Sequence, residues 1–78
     1  MLEAKKQTFF ESMQGAIDYQ REKLLKMGRA IVPTLTPEDI LQPNDYLELE
    51  QNPCFRYEEG VLQGMLTLQM LYQRENRN

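Results

Sequence analysis

The sequence predicts an all-α fold: a helical hairpin of two long antiparallel helices joined by a proline-rich connection with one or two short helical turns. All four prolines of the 78-residue chain lie in the stretch 33–53. Because proline removes an amide donor and clashes with the preceding turn, long helices are confined to the two sides of this stretch. On both sides, apolar residues recur at helical spacing. The chain, taken as one small domain over residues 1–78, therefore divides into 1–32, 33–52 and 53–78.

The first long helix is predicted at about residues 2–31. Its apolar residues repeat every seven positions, with further residues at the alternating positions between them, which is the a/d pattern of a helix-packing seam. This seam consists of Phe10, Met13, Ile17, Gln20, Leu24, Met27 and Ile31. Gln20 is its one polar member, and Phe9, Ala16 and Leu25 widen the apolar stripe.

Two helix-start signals lie in the connection, 33–52. Thr36 precedes Pro37 and two acids, so it is predicted to cap a short helix that Pro43 stops near residue 42. Asp45 and Glu48 have the spacing of a capping box, which predicts a second short turn ending near residue 52. The connection is therefore expected to be structured.

The last helix is predicted at about residues 53–74. Asn52 is a favoured cap, and Pro53 suits the first helical position because an amide there would have no helical partner. One helical row contains Val61, Met65, Leu68 and Tyr72, and it is broadened by Leu62, Leu66 and Leu71. Residues 75–78 are expected to fray.

The composition excludes several classes of protein. The chain carries 9 basic and 12 acidic residues, a net charge of −3, whereas a nucleic-acid binder normally has a basic excess. It has no histidine and one cysteine, which excludes histidine-based triads, most zinc sites and an internal disulfide. No apolar run approaches the ~18 residues of a membrane span. We therefore expect no cofactor, no metal, no nucleic-acid partner and no enzymatic activity. Since no targeting segment is visible, we expect a cytoplasmic location.

A mismatch in helix length predicts a partner. A helix of about 30 residues spans roughly 45 Å and one of about 22 spans roughly 33 Å, so the far end of the longer helix is left at risk of exposure. Phe9, Phe10 and Met13 lie at that end. The sequence therefore predicts a small protein–protein interaction module, either a homo-oligomer, with a dimer favoured, or the binder of a partner protein. The expected mechanism is helix-to-helix burial centred on Phe10, Met13, Ile17 and Leu24, with the acidic connection setting the orientation.

Eleven residues are candidates for contact with the partner: Phe9, Phe10, Met13, Ile17, Leu24, Tyr46, Phe55, Arg56, Tyr57, Gly60 and Gly64. Gly60 and Gly64 lie about one helical turn apart, and such small residues allow either close packing within the hairpin or the approach of another molecule. Arg56 and its aromatic neighbours are residue types found at binding hot spots, but they also suit a seal at the end of the hairpin.

Two other functions stay open. The chain is alternatively a small chaperone or adaptor that shields a helix of a specific client protein. A more remote alternative is a carboxylate-metal regulator or enzyme that holds Mg²⁺ or Mn²⁺, since residues 36–59 contain seven acids against Arg56 alone, a net charge of −6. No calcium-loop spacing is present, and the same acids suit a solvated face or a docking surface for a basic partner.

Overall fold

A computed structural model describes the backbone of residues 2–41 and 45–76 and the side chains of residues 8–40 and 45–76. Helix α1 spans Leu2–Arg29, a 3₁₀ turn spans Asp39–Leu41, α2 spans Leu47–Glu50 and α3 spans Pro53–Glu75. α1 and α3 pack antiparallel along each other in a body of 47 × 19 × 17 Å. The predicted all-α helical hairpin is confirmed, and the two long helices begin at the predicted residues.

α1 ends two residues earlier than predicted, at Arg29. The main-chain amides of Ile31 and Val32 both donate to the carbonyl of Gly28, at 3.0 and 2.7 Å, so the chain leaves the helix in a tight turn. The turn carries Leu35 back onto α1, where the Arg29 Nε donates to the Leu35 carbonyl at 2.8 Å. The return of Leu35 to the core therefore sets the end of the helix.

A buried glycine makes this turn possible. A Cβ atom at Gly28 would clash with the side chain of Leu35 and would lie 3.4 Å from the ring of Phe55. Leu35 and Phe55 are both buried, so neither can move aside easily. Gly28 is thus a packing residue at the closed end of the hairpin, a role that its position near the helix end did not reveal.

Of the two caps predicted before and after α2, one is present in the structure and the other is not. The Asn52 side chain accepts a hydrogen bond from the main-chain amide of Phe55 at 2.9 Å, and Pro53 opens α3, as predicted. The capping box predicted from Asp45 and Glu48 is wrong, because α2 is capped at Tyr46 and receives no side-chain cap bond. The side chain of Tyr46 packs against the core instead.

Thr36 and Asp39, in the first helix-start signal of the connection, cap a 3₁₀ turn reciprocally. The main-chain amide of Thr36 donates to the Asp39 carboxylate at 2.9 Å, and the Thr36 hydroxyl accepts from the Asp39 amide at 3.3 Å. Thr36 therefore caps as predicted, although the turn that follows is 3₁₀ and only three residues long. The predicted stop at residues 42 and 43 lies outside the described residues.

The core draws side chains from every element. Its buried apolar members are Ile17, Leu24, Leu35, Ile40, Leu49, Phe55 and Leu62. The connection packs on the side of α1 that carries Arg21 and Leu25, where an open notch of about 390 Å³ separates α1 from Pro37 and Ile40. The other helical element of the connection, α2, packs against α3.

α3 turns a different face to the core than its apolar row suggests. Phe55 and Leu62 are its buried residues, and Leu66 and Met65 pack at the edge of the core. Leu68, a member of the row found in the sequence, is 59% exposed. Part of the apolar surface of α3 therefore points away from α1.

Candidate interaction surface

Three of the sequence-predicted contact residues belong to the core of the hairpin. Ile17 is 1% exposed, and Leu24 and Phe55 are 0% exposed. A partner that docks on this fold cannot touch them, because the seam of α1 is already filled by α3 and the connection. The predicted mechanism, centred on this seam, is therefore replaced by one that uses another surface.

The far end of α1 is better covered than the difference in helix length suggests. The ring of Tyr72 lies 5.1 Å from that of Phe9 and 6.4 Å from that of Phe10, both measured between centroids. Phe10 is consequently half-buried, and Met13 is half-buried because it packs against the core, while Phe9 keeps 52% of its surface exposed. Of the three residues expected at an uncovered end, Phe9 alone offers a large apolar surface.

The predicted recognition segment around Arg56 is split by the helix. Phe55 points into the core, whereas Tyr57 points outward and is 70% exposed. Arg56 forms an ion pair with Glu59, one turn along α3, at 3.2 Å. Tyr46 is half-buried on another element, so the structure does not bring these residues together as one site.

Tyr46 takes part in a local polar contact of the connection. Burial raises the pKa of its phenol, and the charge of nearby Asp39 adds to that effect. The pKa of the Asp39 carboxyl is lowered, chiefly because the main-chain amide of Thr36 donates to it. Asp39 and Tyr46 thus lie close together where the 3₁₀ turn approaches the start of α2.

Gly60 and Gly64 do not serve packing within the hairpin. Both are exposed, and a Cβ atom added at either position would meet nothing within 4 Å. The interpretation that they allow α1 and α3 to approach closely is therefore wrong. Their other interpretation, contact with a second molecule, stays a prediction.

An apolar strip that includes Gly64 and runs past Gly60 lies along the outside of α3, and we call it the outer seam. Its members follow the 4-3-4-3 spacing of a helix-packing seam: Tyr57, Val61, Gly64, Leu68 and Leu71. Leu68 is 59% exposed and Leu71 44% exposed, while Val61 is half-buried. The segment 60–73, which carries most of this seam, contains no charged residue. The sequence contains this spacing, but the row found there, Val61, Met65, Leu68 and Tyr72, is broadened by Leu62 and Leu66 and so points to a different centre of the apolar face.

A polar cluster determines which side of α3 faces outward. Gln20, which is buried, donates from Nε2 to the main-chain carbonyl of Glu58 at 2.9 Å and to its carboxylate at 2.8 Å. Lys23 Nζ lies 3.1 Å from the other carboxylate oxygen. The hydrogen bonds from Gln20 and Lys23 lower the pKa of the Glu58 carboxyl. These contacts fix the rotation of α3 against α1, and so leave the outer seam on the outside.

The described part of the chain contains little that would support a metal site or a membrane-spanning segment. Among the described side chains, those of residues 8–40 and 45–76, no three Cys, Asp or Glu are grouped as ligands for a metal ion. None of the helices described there is long and apolar enough to cross a membrane. A comparison of the chain with protein families, curated proteins and solved structures finds no match.

Proposed function

We propose that this chain is a non-enzymatic protein–protein interaction module that self-associates or binds a partner helix through an apolar helical stripe, and that the stripe is the outer seam of α3. The observation that carries the proposal is the exposure of Tyr57, Leu68 and Leu71 along one face of α3, of which residues 60–73 carry no charge. Contiguous exposed apolar patches on small proteins mark interaction sites. A location in the cytoplasm is part of the same proposal.

The spacing of the outer seam suits a helix as the binding element. Side chains at alternating intervals of four and three residues present one continuous stripe, into which the side chains of another helix interdigitate. Complete burial of an exposed leucine contributes about 1.5–3 kcal/mol, so Leu68 and Leu71 supply a useful part of a binding free energy. Gly64, between Val61 and Leu68, leaves room for a side chain of the partner.

A matched pair of substitutions tests this surface. Leu68→Glu places a charge on the outer seam, whereas Met70→Glu places the same charge two residues away, on a residue that is 63% exposed but outside the seam. Both variants are expected to keep the helicity of the wild type, as judged by circular dichroism, because neither side chain is buried. Tagged wild type, Leu68→Glu and Met70→Glu are used as baits against a second, untagged copy and against the native lysate.

The expected result is that a bound protein is lost with Leu68→Glu and kept with Met70→Glu. Recovery of a different chain would favour the chaperone or adaptor, which would use the same seam to shield a client helix. If every bound protein is retained equally by both variants, or if none binds, the outer seam is not an interaction surface and the proposal fails.

A further inference from the structure

We infer that the occupant of the outer seam is a second copy of this chain, with its α3 lying antiparallel to the first across a two-fold axis near Leu66 and Thr67. This inference rests on the proposed function, because it uses the same seam, and it goes further by naming the partner, its orientation and its register.

The exposed area of the chain is large for its mass. A compact monomer of 9.3 kDa exposes about 5,000 Å². This chain exposes 5971 Å². The surplus of about 1,000 Å² is comparable with the ~800 Å² that each partner contributes to a standard protein–protein interface. An elongated chain of this kind therefore leaves room for an interface of standard size.

The charge pattern of α3 favours a second copy as the partner. Two copies of a chain with a net charge of −3 repel each other overall, so a contact surface without charges favours their association. The segment 60–73 is uncharged over about four helical turns, and its midpoint falls between Leu66 and Thr67. An antiparallel arrangement with its axis at Leu66, next to that midpoint, lays the uncharged residues 60–72 upon themselves. No like charges are then opposed within this stretch.

The residues on either side of this segment favour the antiparallel orientation. In the antiparallel arrangement, Arg74 of each copy lies level with residue 58 of the other copy, and the dipoles of the two helices point in opposite directions, which is favourable. A parallel arrangement would place Arg74 beside Arg74.

The same register pairs small residues with large ones. With the axis near Leu66, Gly64 of one copy lies level with Leu68 of the other, and Val61 lies level with Leu71. Nothing in the hairpin lies within 4 Å of a Cβ built at Gly64, so the space above it is open to a leucine side chain. The glycine that has no packing role inside the hairpin thereby acquires one between two copies.

Sedimentation equilibrium of the purified protein, from low micromolar to millimolar concentration, tests self-association. The wild type is expected to form a dimer, Leu68→Glu to raise the dimer dissociation constant by about tenfold or more, and Met70→Glu to change it by less than about threefold. Gly64→Ala is expected to weaken the dimer as well, while Gly15→Ala, at an equally open position on α1, leaves the dimer unchanged. A monomer at every concentration overturns the inference.

Disulfide trapping tests the orientation. In a Cys54→Ser background, Val61→Cys and Leu71→Cys are prepared as separate proteins with tags of different mass. The antiparallel register predicts a mixed disulfide when the two are combined under oxidation, and little disulfide when either is oxidised alone. Disulfides within each variant alone, with no excess of the mixed species, would show a parallel pair and overturn the inference.

The two proposals fail in different ways. A monomeric wild type overturns the second copy as occupant, yet the interaction module stands if a different protein is captured in a manner that depends on Leu68. A dimer that tolerates Leu68→Glu overturns this inference, because self-association then uses another face. The capture experiment with the native lysate then shows whether the outer seam binds a different protein.

Discussion

Gln20 of α1 and Glu58 of α3 are joined by two hydrogen bonds from a single amide nitrogen, one to the carbonyl and one to the carboxylate of Glu58. A buried polar group of this kind constrains how two helices meet, because any other rotation of α3 would leave the Gln20 amide without its acceptors. The polar member of an otherwise apolar seam thus orients the helix that carries the outer seam.

Removing the buried Gln20 side chain should weaken the hairpin. Gln20→Ala is expected to lower the free energy of unfolding by about 1–3 kcal/mol, because it removes the bonds and leaves a small cavity. Urea denaturation followed by circular dichroism measures the change. Gln73→Ala, at an exposed position of α3, is the control and should change the stability by less than about 0.5 kcal/mol. Equal effects of the two substitutions would contradict the orienting role of Gln20.

Acid should weaken the fold through Glu58. The pKa of this carboxyl is lower in the folded chain than the ~4.3 of an unfolded glutamate, because Gln20 and then Lys23 donate to it. Its stabilising contribution is therefore complete above the unfolded pKa and is lost as the pH falls through the folded pKa. The difference in unfolding free energy between wild type and Glu58→Gln should shrink below about pH 4. Urea titrations at a series of pH values measure it, and a difference that stays constant with pH would contradict the assignment.

Two glycines of α1 should respond in opposite ways to alanine. Gly28→Ala forces a Cβ against Leu35 and Phe55 and is expected to destabilise the fold by about 1–3 kcal/mol, despite the higher helix propensity of alanine. Gly15→Ala meets nothing within 4 Å and is expected to stabilise the helix by up to about 1 kcal/mol. Thermal unfolding of the two variants measures the contrast. Stabilisation by both substitutions would show that the packing at the closed end is loose.

The helix caps predict a second contrast. Asn52→Ala should cost about 1 kcal/mol, because it removes the side-chain acceptor for the Phe55 amide at the start of α3. Asp45→Ala should change the stability by less than about 0.5 kcal/mol, since α2 has no side-chain cap bond to lose. Chemical denaturation measures both variants. A loss at Asp45 as large as that at Asn52 would restore the capping box predicted from the sequence.

Local signals in the sequence determined where the long helices lie and which face of α1 is buried. The prolines and the cap at Asn52 act through the residues next to them, so the start of α3 follows from a few residues. The a/d seam of α1 is strong enough to select one face, and Ile17, Gln20 and Leu24 are all buried as that seam predicts.

Tertiary structure alone decided which face of α3 is buried. Apolar residues occur all round this helix, so two stripes compete, one with Leu62 and Leu66 and one with Leu68 and Leu71. Helical periodicity cannot choose between them, because both have the correct spacing. The choice comes from contacts with residues far away in the chain: Phe55 in the core, and Glu58 on Gln20.

The role of Gly28 and the failed cap at Asp45 have the same origin. Neither the clash that a Cβ at Gly28 would cause nor the packing of Tyr46 on the core involves sequence neighbours alone. Each depends on where the connection returns to α1, which a local pattern does not contain. Short-range hydrogen bonding and helical spacing thus determine where the helices begin and end. Side-chain packing between the helices determines which face of each is buried, and therefore which surface is left open for a partner.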